Sequence, residues 1–136
     1  MHDPVRVLVE VPRFSFVKRE AGGGVDFVSP VPCPFNYGCI PGRLAPDGDP
    51  PDALVLGPRL GAGQEVDTQV WAVVRFVDDG ARDDKLVCGP QPPTDRELAA
   101  VGAFFRLYAY ARAGMNRARG RTGRTAFEGV ERTYSR

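Results

Sequence analysis

The N-terminal two thirds of the chain alternate between short apolar runs and clusters of Gly, Pro, Asp and Ser, a pattern typical of a mainly β protein. Near the N-terminus, Val5, Val7 and Val9 alternate with mixed neighbours such as Arg6, so both faces of this predicted strand are expected to be occupied. Turn residues separate it from the later apolar runs. Further strands are predicted over 14–20, 25–28, 53–56, 70–77 and 85–88.

One substantial helix is predicted after these strands. The sequence Thr-Asp-Arg-Glu at 94–97 has the spacing of a capping box, in which the first and fourth residues bond each other's backbone N–H groups. Residues at steps of three and four then mark one helix face. The Arg-rich segment 115–136 is expected to be a mobile or weakly docked tail of a single domain that spans 1–136. The helix-face positions are Leu98, Val101, Phe105, Tyr108 and Arg112.

The Pro-rich segment 29–52 is predicted to be a long irregular loop, and loops of this length are commonly functional. It ends in the hexapeptide Asp-Gly-Asp-Pro-Pro-Asp, whose acidic positions are Asp47, Asp49 and Asp52. Carboxylates crowded this closely favour a bound cation, and oxygen donors alone favour Mg²⁺ or Mn²⁺ over Zn²⁺. The simpler alternative is an acidic surface turn. A calcium-binding EF-hand loop fits poorly, because its twelfth position would be Pro58 rather than Glu.

A second acidic cluster follows the predicted strand at 70–77. It contains Asp78, Asp79, Asp83 and Asp84 and ends at Lys85. Of the 18 basic residues only two are Lys, at positions 18 and 85, so these two are candidates for sites that need a compact charge. Two acidic clusters with separate cations are typical of metal-assisted phosphoryl chemistry. A solvated hairpin turn and chance retention of lysine are the alternatives.

Composition excludes several other classes of protein. The net charge of +1 argues against a function carried by overall charge. Three cysteines without C-x-x-C spacing and a single histidine, His2, argue against a structural zinc site and a disulfide framework. No apolar run is long enough to span a membrane and the N-terminus does not resemble a signal peptide, so a cytoplasmic protein without membrane contact is expected.

Five blocks of this chain occur in the order seen in soluble family I inorganic pyrophosphatases, and the hexapeptide matches the D-x-D-P-x-D signature of that family. The resemblance implies a five-stranded OB-like barrel with one main C-terminal helix, in the mainly β (α+β) class. It also implies Mg²⁺-dependent hydrolysis of inorganic pyrophosphate to two phosphates by metal-activated water, with Mn²⁺ or another divalent ion possible, and a homo-oligomer. The blocks are residues 9–12, 18–20, 34–38, 47–52 and 78–85.

The resemblance assigns roles to individual residues. Asp49 is expected to be the general base that takes a proton from the attacking water. Glu10 and Asp79 are expected to support the site from behind, although Asp79 is shorter than the Glu usual in the family. The expected metal ligands are Asp47, Asp52, Asp78, Asp83 and Glu20. The expected substrate contacts are Lys18, Tyr37, Lys85 and Tyr108.

Two cations of the family pattern are absent, an Arg near Val25–Phe27 and a Lys at the position of Ala109. Arg112 lies four residues after Tyr108 on the same predicted helix face, so it is a candidate replacement that would bind substrate phosphate. Arg106, on another side of the helix, is a weaker candidate, and a solvated arginine near the helix end is the simpler alternative.

Two other functions stay open from the sequence. The chain could be a degenerate relative that binds metal and phosphate with little turnover. It could also be an OB-type nucleic-acid-binding protein that uses its Arg-rich tail, although aromatic residues are not interleaved with basic ones along the strands as base stacking requires.

Overall fold

The computed structural model describes residues 4–14, 17–19, 25–28, 33–46 and 48–134, with the side chains of 17–19 and 25–28 excepted. The described residues contain nine strands and one α-helix. In chain order these elements are β1 (Pro4–Val11), β2 (Val17–Arg19), β3 (Val25–Val28), β4 (Asn36–Cys39), β5 (Asp52–Val55), β6 (Glu65–Asp78), β7 (Ala81–Arg82), β8 (Lys85–Gly89), α1 (Asp95–Ala118) and β9 (Ala126–Arg132).

Five of the strands form a closed ring. They pair in the order β1-β4-β5-β8-β6, and β6 pairs back with β1. The β5–β8 pair is parallel, whereas the other four pairs of the ring are antiparallel. The prediction of a mainly β, OB-like barrel of five strands with one main helix is therefore confirmed.

Strand β4 corrects the prediction of an irregular segment throughout 29–52. Residues 36–39 pair with β1 on one side and β5 on the other. Gly38 permits this position, because a Cβ atom there would lie 1.8 Å from the carbonyl oxygen of Leu8. The segment 29–52 is rich in glycine and proline, so the pairing is decided by tertiary context rather than by strand propensity.

Helix α1 packs on the barrel through a buried stripe. Its predicted capping box is present, since Thr94 Oγ1 accepts from Glu97 N (3.1 Å) and Thr94 N donates to Glu97 Oε1 (2.9 Å). Phe105 is buried against Phe76 of β6 in an edge-to-face contact. A buried aromatic side chain of this kind stabilises the fold by about 1.5–3 kcal/mol. Ala53 and Val55 lie in a second apolar cluster, on the face of β5 opposite Leu54.

The prediction of a mobile tail over 115–136 is wrong for the described part of that segment. The helix continues to Ala118, and β9 pairs with β6 over six registered positions. Phe127 and Val130 pack against the main apolar cluster. The tail arginines are engaged as well: Arg124 pairs with Glu128 at 2.7 Å, and Arg132 pairs with Asp95. The sequence argument weighed the excess of positive charge and missed the apolar residues that dock the segment.

Within the described residues, no helix combines the length and apolar character needed to cross a membrane.

Candidate active site

The acidic hexapeptide leads directly into β5. Gly48, at a φ of 87°, donates to the carbonyl of Ala45 (2.9 Å), and Ala45 N donates to the carbonyl of Asp49 (2.8 Å). These bonds close a tight turn that requires a positive φ at its glycine. Asp49 lies in this turn, and Asp52 is the first residue of β5. Asp47 lies outside the described residues.

Strand register brings the two acidic clusters together. In the parallel β5–β8 pair, Asp52 is the partner of Lys85. The Lys85 ammonium lies 2.9 Å from Asp52 Oδ2 and 2.8 Å from Asp83 Oδ2, and its side chain is only 3% exposed. One buried cation therefore joins the hexapeptide to the second acidic cluster. We call Lys85, Asp52 and Asp83 the lysine cluster.

The positive and negative charges of the lysine cluster do not balance. Burial raises the pKa of Asp83, and the nearby charges of Asp52 and Asp78 raise it further against the opposing effect of Lys85. Burial alone would lower the pKa of Lys85, but the two carboxylates outweigh it and the net shift is upward, so the amine stays protonated. One positive charge against two carboxylates leaves a surplus negative charge.

Aromatic side chains surround the ammonium. Lys85 Nζ lies 5.5 Å from the ring centroid of Phe76 and 6.0 Å from that of Tyr37. The Tyr37 hydroxyl donates a hydrogen bond to Asp52, and burial, followed by the charge of Asp52, raises the pKa of Tyr37 well above its usual value. Tyr108 packs against Phe76. Burial also raises its pKa, so both phenols are neutral donors at physiological pH.

Asp78 belongs to a second ion pair beside the first. Its Oδ2 accepts from Arg112 Nε at 3.0 Å, and its Oδ1 accepts from Asn116 Nδ2 at 2.7 Å. Asn116 is 2% exposed and also donates to Thr125 Oγ1 at 3.0 Å. We call Arg112, Asp78 and Asn116 the arginine cluster. Asn116 was missed in the sequence, although a polar residue one turn beyond Arg112, in line with the buried face, is a signal that could have identified it.

A cavity of about 650 Å³ is lined by acidic residues of both the hexapeptide and the second acidic cluster. Asp49, Asp52 and Asp83 line it together with Glu10 and Asp84. Glu10 thus lies next to the predicted ligands, as expected of a supporting residue, and its role stays a prediction.

Asp84 and Asp79 have structural contacts. Although burial opposes it, the Phe76 N–H and the guanidinium groups of Arg75 and Arg82 hold the pKa of Asp84 below its usual value. Asp79 has a φ of 51° in the turn before Gly80, and its Oδ1 accepts from Gly123 N at 2.8 Å. The Asp79 side chain therefore holds the segment after α1 in place through this hydrogen bond, and its effect on the candidate site passes through that segment.

The predicted metal set is partly described. Glu20 lies outside the described residues, as Asp47 does, and for Lys18 the backbone in β2 is described but not the side chain. Among the residues that are described, no group of three or more acidic, histidine or cysteine side chains is arranged to hold a metal ion. The hard oxygen donors, partial burial and surplus negative charge of Asp52 and Asp83 fit a divalent cation, and the predicted ligands Asp47 and Glu20 lie outside the described part.

Comparison with known proteins identifies a family. The family model described as inorganic pyrophosphatase matches residues 7–119. An inorganic pyrophosphatase of Gluconobacter oxydans is 36% identical over 105 residues, which cover 71% of this chain and 61% of the relative. One from Sulfolobus acidocaldarius is 39% identical over 107 residues, which cover 73% of this chain and 62% of the relative. The chain thus spans about three fifths of the length of these curated relatives.

Solved structures show the same fold. The inorganic pyrophosphatase of Helicobacter pylori superimposes with a TM-score of 0.77 at 26% identity, covering 98% of this chain and 88% of that one. The Thermus thermophilus enzyme also gives a TM-score of 0.77 at 26% identity, covering 95% and 82%. On the strength of the family match over most of its length, the chain belongs to the inorganic pyrophosphatase family.

Proposed function

We propose that the chain hydrolyses inorganic pyrophosphate to two phosphates with the help of Mg²⁺ or a similar divalent ion. The observation that carries the proposal is the buried Lys85 held between Asp52 and Asp83 at the register of β5 and β8. Desolvating a lysine beside two carboxylates is costly, and an anionic substrate together with a cation gives such an arrangement a use. Family membership supports the same reaction.

Asp52 and Asp83 are the described residues that would hold the metal, and Asp47 and Glu20 are the further predicted ligands. A divalent ion bound there supplies a lowered pKa for the attacking water and positive charge for the phosphate oxygens. The local surplus of negative charge draws such an ion in, and the Lys85 ammonium contacts both carboxylates in its absence.

In the proposal, the side chains of the site accept the proton and bind the phosphate oxygens. Asp49 is held in the tight turn beside the cavity, and in the proposal it accepts the proton of the attacking water. The Lys85 ammonium, with three donors, binds a phosphate oxygen as charge accumulates there. Tyr108 carries a neutral hydroxyl group that can donate to a phosphate oxygen, and Tyr37 can donate to one after it releases Asp52. Lys18 is a further predicted phosphate contact.

The competing functions are weaker. A nucleic-acid binder was expected to use a free basic tail, yet Arg124 and Arg132 are ion-paired and β9 is part of the sheet. A degenerate relative without turnover differs from the proposal only in activity, so it is an outcome of the assay below. A homo-oligomer and a cytoplasmic location remain predictions of the sequence.

Phosphate release from pyrophosphate, measured over a Mg²⁺ titration, tests the proposal. The parent chain is expected to release phosphate only with the metal present. Asp52→Asn should weaken metal binding, since a ligand loses its charge, so that more Mg²⁺ is needed to reach the maximal rate. Asp49→Asn should instead reduce turnover by about 10²–10⁴-fold with metal binding retained. The matched control is Asp67→Asn, the same change in an exposed pair with Arg6. Absence of phosphate release from the folded parent at all metal concentrations supports the degenerate reading instead.

A further inference from the structure

Both carboxylate oxygens of Asp78 accept hydrogen bonds from protein donors. One carboxylate oxygen accepts from Arg112 Nε at 3.0 Å and the other from Asn116 Nδ2 at 2.7 Å. The side chains of Asp78 and Arg112 are 19% and 18% exposed, so both lie in a largely enclosed environment. A metal ion bound to Asp78 would lie next to the Arg112 guanidinium, and the repulsion between the two positive charges in this enclosed environment opposes its binding.

The charge of Asp78 is neutralised as well. Arg112 carries one permanent positive charge against one carboxylate, and a guanidinium does not deprotonate to make way for a metal. Asn116 is fixed in turn, because its amide nitrogen donates both to Asp78 and to Thr125 Oγ1. The arginine cluster therefore has no surplus negative charge, in contrast to the lysine cluster beside it.

Arg112 keeps donors for another anion. It uses Nε for Asp78, and in the described part of the chain its two terminal nitrogens make no hydrogen bond. Tyr108, one helical turn before Arg112, packs on the Phe76 ring with centroids 5.7 Å apart, and Lys85 Nζ lies 5.5 Å from the centroid of the same ring. A guanidinium anchored through Nε presents a planar pair of donors, which matches two phosphate oxygens.

We propose that Arg112 is a built-in cation that replaces a metal ion at Asp78: Asp78 and Asn116 position it, and its terminal nitrogens bind a phosphate group of pyrophosphate. This inference rests on the proposed function for the identity of the substrate and refines the predicted metal set by removing Asp78 from it. It also accounts for the missing lysine at Ala109 with a residue one turn away on the same helix.

Two binding measurements on the full chain test the inference. In chelator, without metal, calorimetry should detect pyrophosphate binding to the parent, and Arg112→Ala should weaken it by about ten- to a hundredfold, the value of a lost charged hydrogen bond. Arg112→Gln, which keeps a donor near Asp78, serves if the alanine variant does not fold. Arg6→Ala is the matched control, because it removes an arginine from an exposed ion pair, the one with Asp67; the pyrophosphate affinity of this variant should equal that of the parent.

The second measurement counts bound Mn²⁺ without pyrophosphate. Asp78→Asn should bind the same number of ions as the parent, with similar affinity, whereas Asp83→Asn should lose affinity or an ion. Loss of an ion from Asp78→Asn, or unchanged pyrophosphate binding by Arg112→Ala and Arg112→Gln, overturns the inference. Either result leaves the proposed function intact if the parent still hydrolyses pyrophosphate. Conversely, a parent that binds pyrophosphate through Arg112 but releases no phosphate retains the inference and loses the function.

Discussion

The lysine cluster and the arginine cluster lie beside each other yet differ in their balance of charge. Lys85 serves two carboxylates, Asp52 and Asp83, while Arg112 serves only Asp78, whose second oxygen is taken by a neutral amide. The first arrangement retains a negative charge that can attract a divalent cation. The second is neutral and already hydrogen-bonded, so it has little to gain from one.

The two clusters also differ in the type of cationic side chain that they contain. A lysine ammonium is a compact charge on a flexible stem that can move from a carboxylate to a phosphate oxygen. An arginine held through Nε is fixed and still has two donors to offer. Neighbouring carboxylates of one site can therefore have opposite roles, one binding metal and one positioning an arginine, and the protein groups around them decide which.

Removing the lysine should produce the largest effect. In Lys85→Met, Asp52 and Asp83 lose their shared cation, and without metal the free energy of unfolding should fall by about 3–5 kcal/mol, as for a broken buried ion pair. Added Mg²⁺ should restore more stability to this variant than to the parent, because it supplies the missing charge. Pyrophosphate hydrolysis should fall by at least about a hundredfold.

Urea unfolding with and without Mg²⁺ measures these changes. Equal stabilisation of parent and variant by Mg²⁺ would show that the metal binds away from Lys85, and the account of the lysine cluster would be wrong.

A smaller effect is expected from the buried amide of the arginine cluster. Asn116→Leu removes the amide donor from Asp78 Oδ1, which keeps the Thr125 hydroxyl at 3.5 Å, and from Thr125 Oγ1, which keeps Asp79 N at 3.0 Å. The loss should cost about 1–3 kcal/mol of unfolding free energy. Because Asp78 then positions Arg112 less firmly, the affinity for pyrophosphate in chelator should weaken by several-fold, or roughly 1 kcal/mol. Urea unfolding and calorimetry on the same sample separate the two effects.

The other buried asparagine is a control for this variant. Asn36 accepts from Arg13 N and Leu60 N and donates to the carbonyls of Val55 and Pro58. Asn36→Leu should therefore destabilise the fold at least as much as Asn116→Leu, but it should leave pyrophosphate affinity unchanged. An equal loss of affinity in both variants would mean that Asn116 acts through general stability alone.

The sequence predicted those features that depend on local or strongly patterned signals. The alternation around Val7, the capping box at Thr94 and the Asp-rich hexapeptide each carry their information within a few residues. Strand β4 could not be predicted in this way, because its place depends on how closely Gly38 approaches β1. Strand β9 was hidden by its arginines, whose acidic partners, such as Asp95, are distant in sequence.

The arginine cluster shows the same limit within the site. The sequence placed Arg112 and Tyr108 on one helix face, and the family resemblance assigned Asp78 to a metal, a role that the proposal above gives to Arg112 instead. Only the tertiary arrangement shows Asp78 between Arg112 and Asn116, 34 and 38 residues away along the chain. A carboxylate's role depends on donors that distant segments supply, so the type of residue alone could not decide it.

The central claim is that metal binds at Asp83 and not at Asp78, and locating Mn²⁺ by anomalous diffraction from crystals of the full chain tests it most directly. The account predicts Mn²⁺ peaks within coordination distance of Asp52 and Asp83, with Asp78 still bonded to Arg112 and no peak beside it. A Mn²⁺ ion coordinated by Asp78, with the Arg112 side chain displaced, would contradict it.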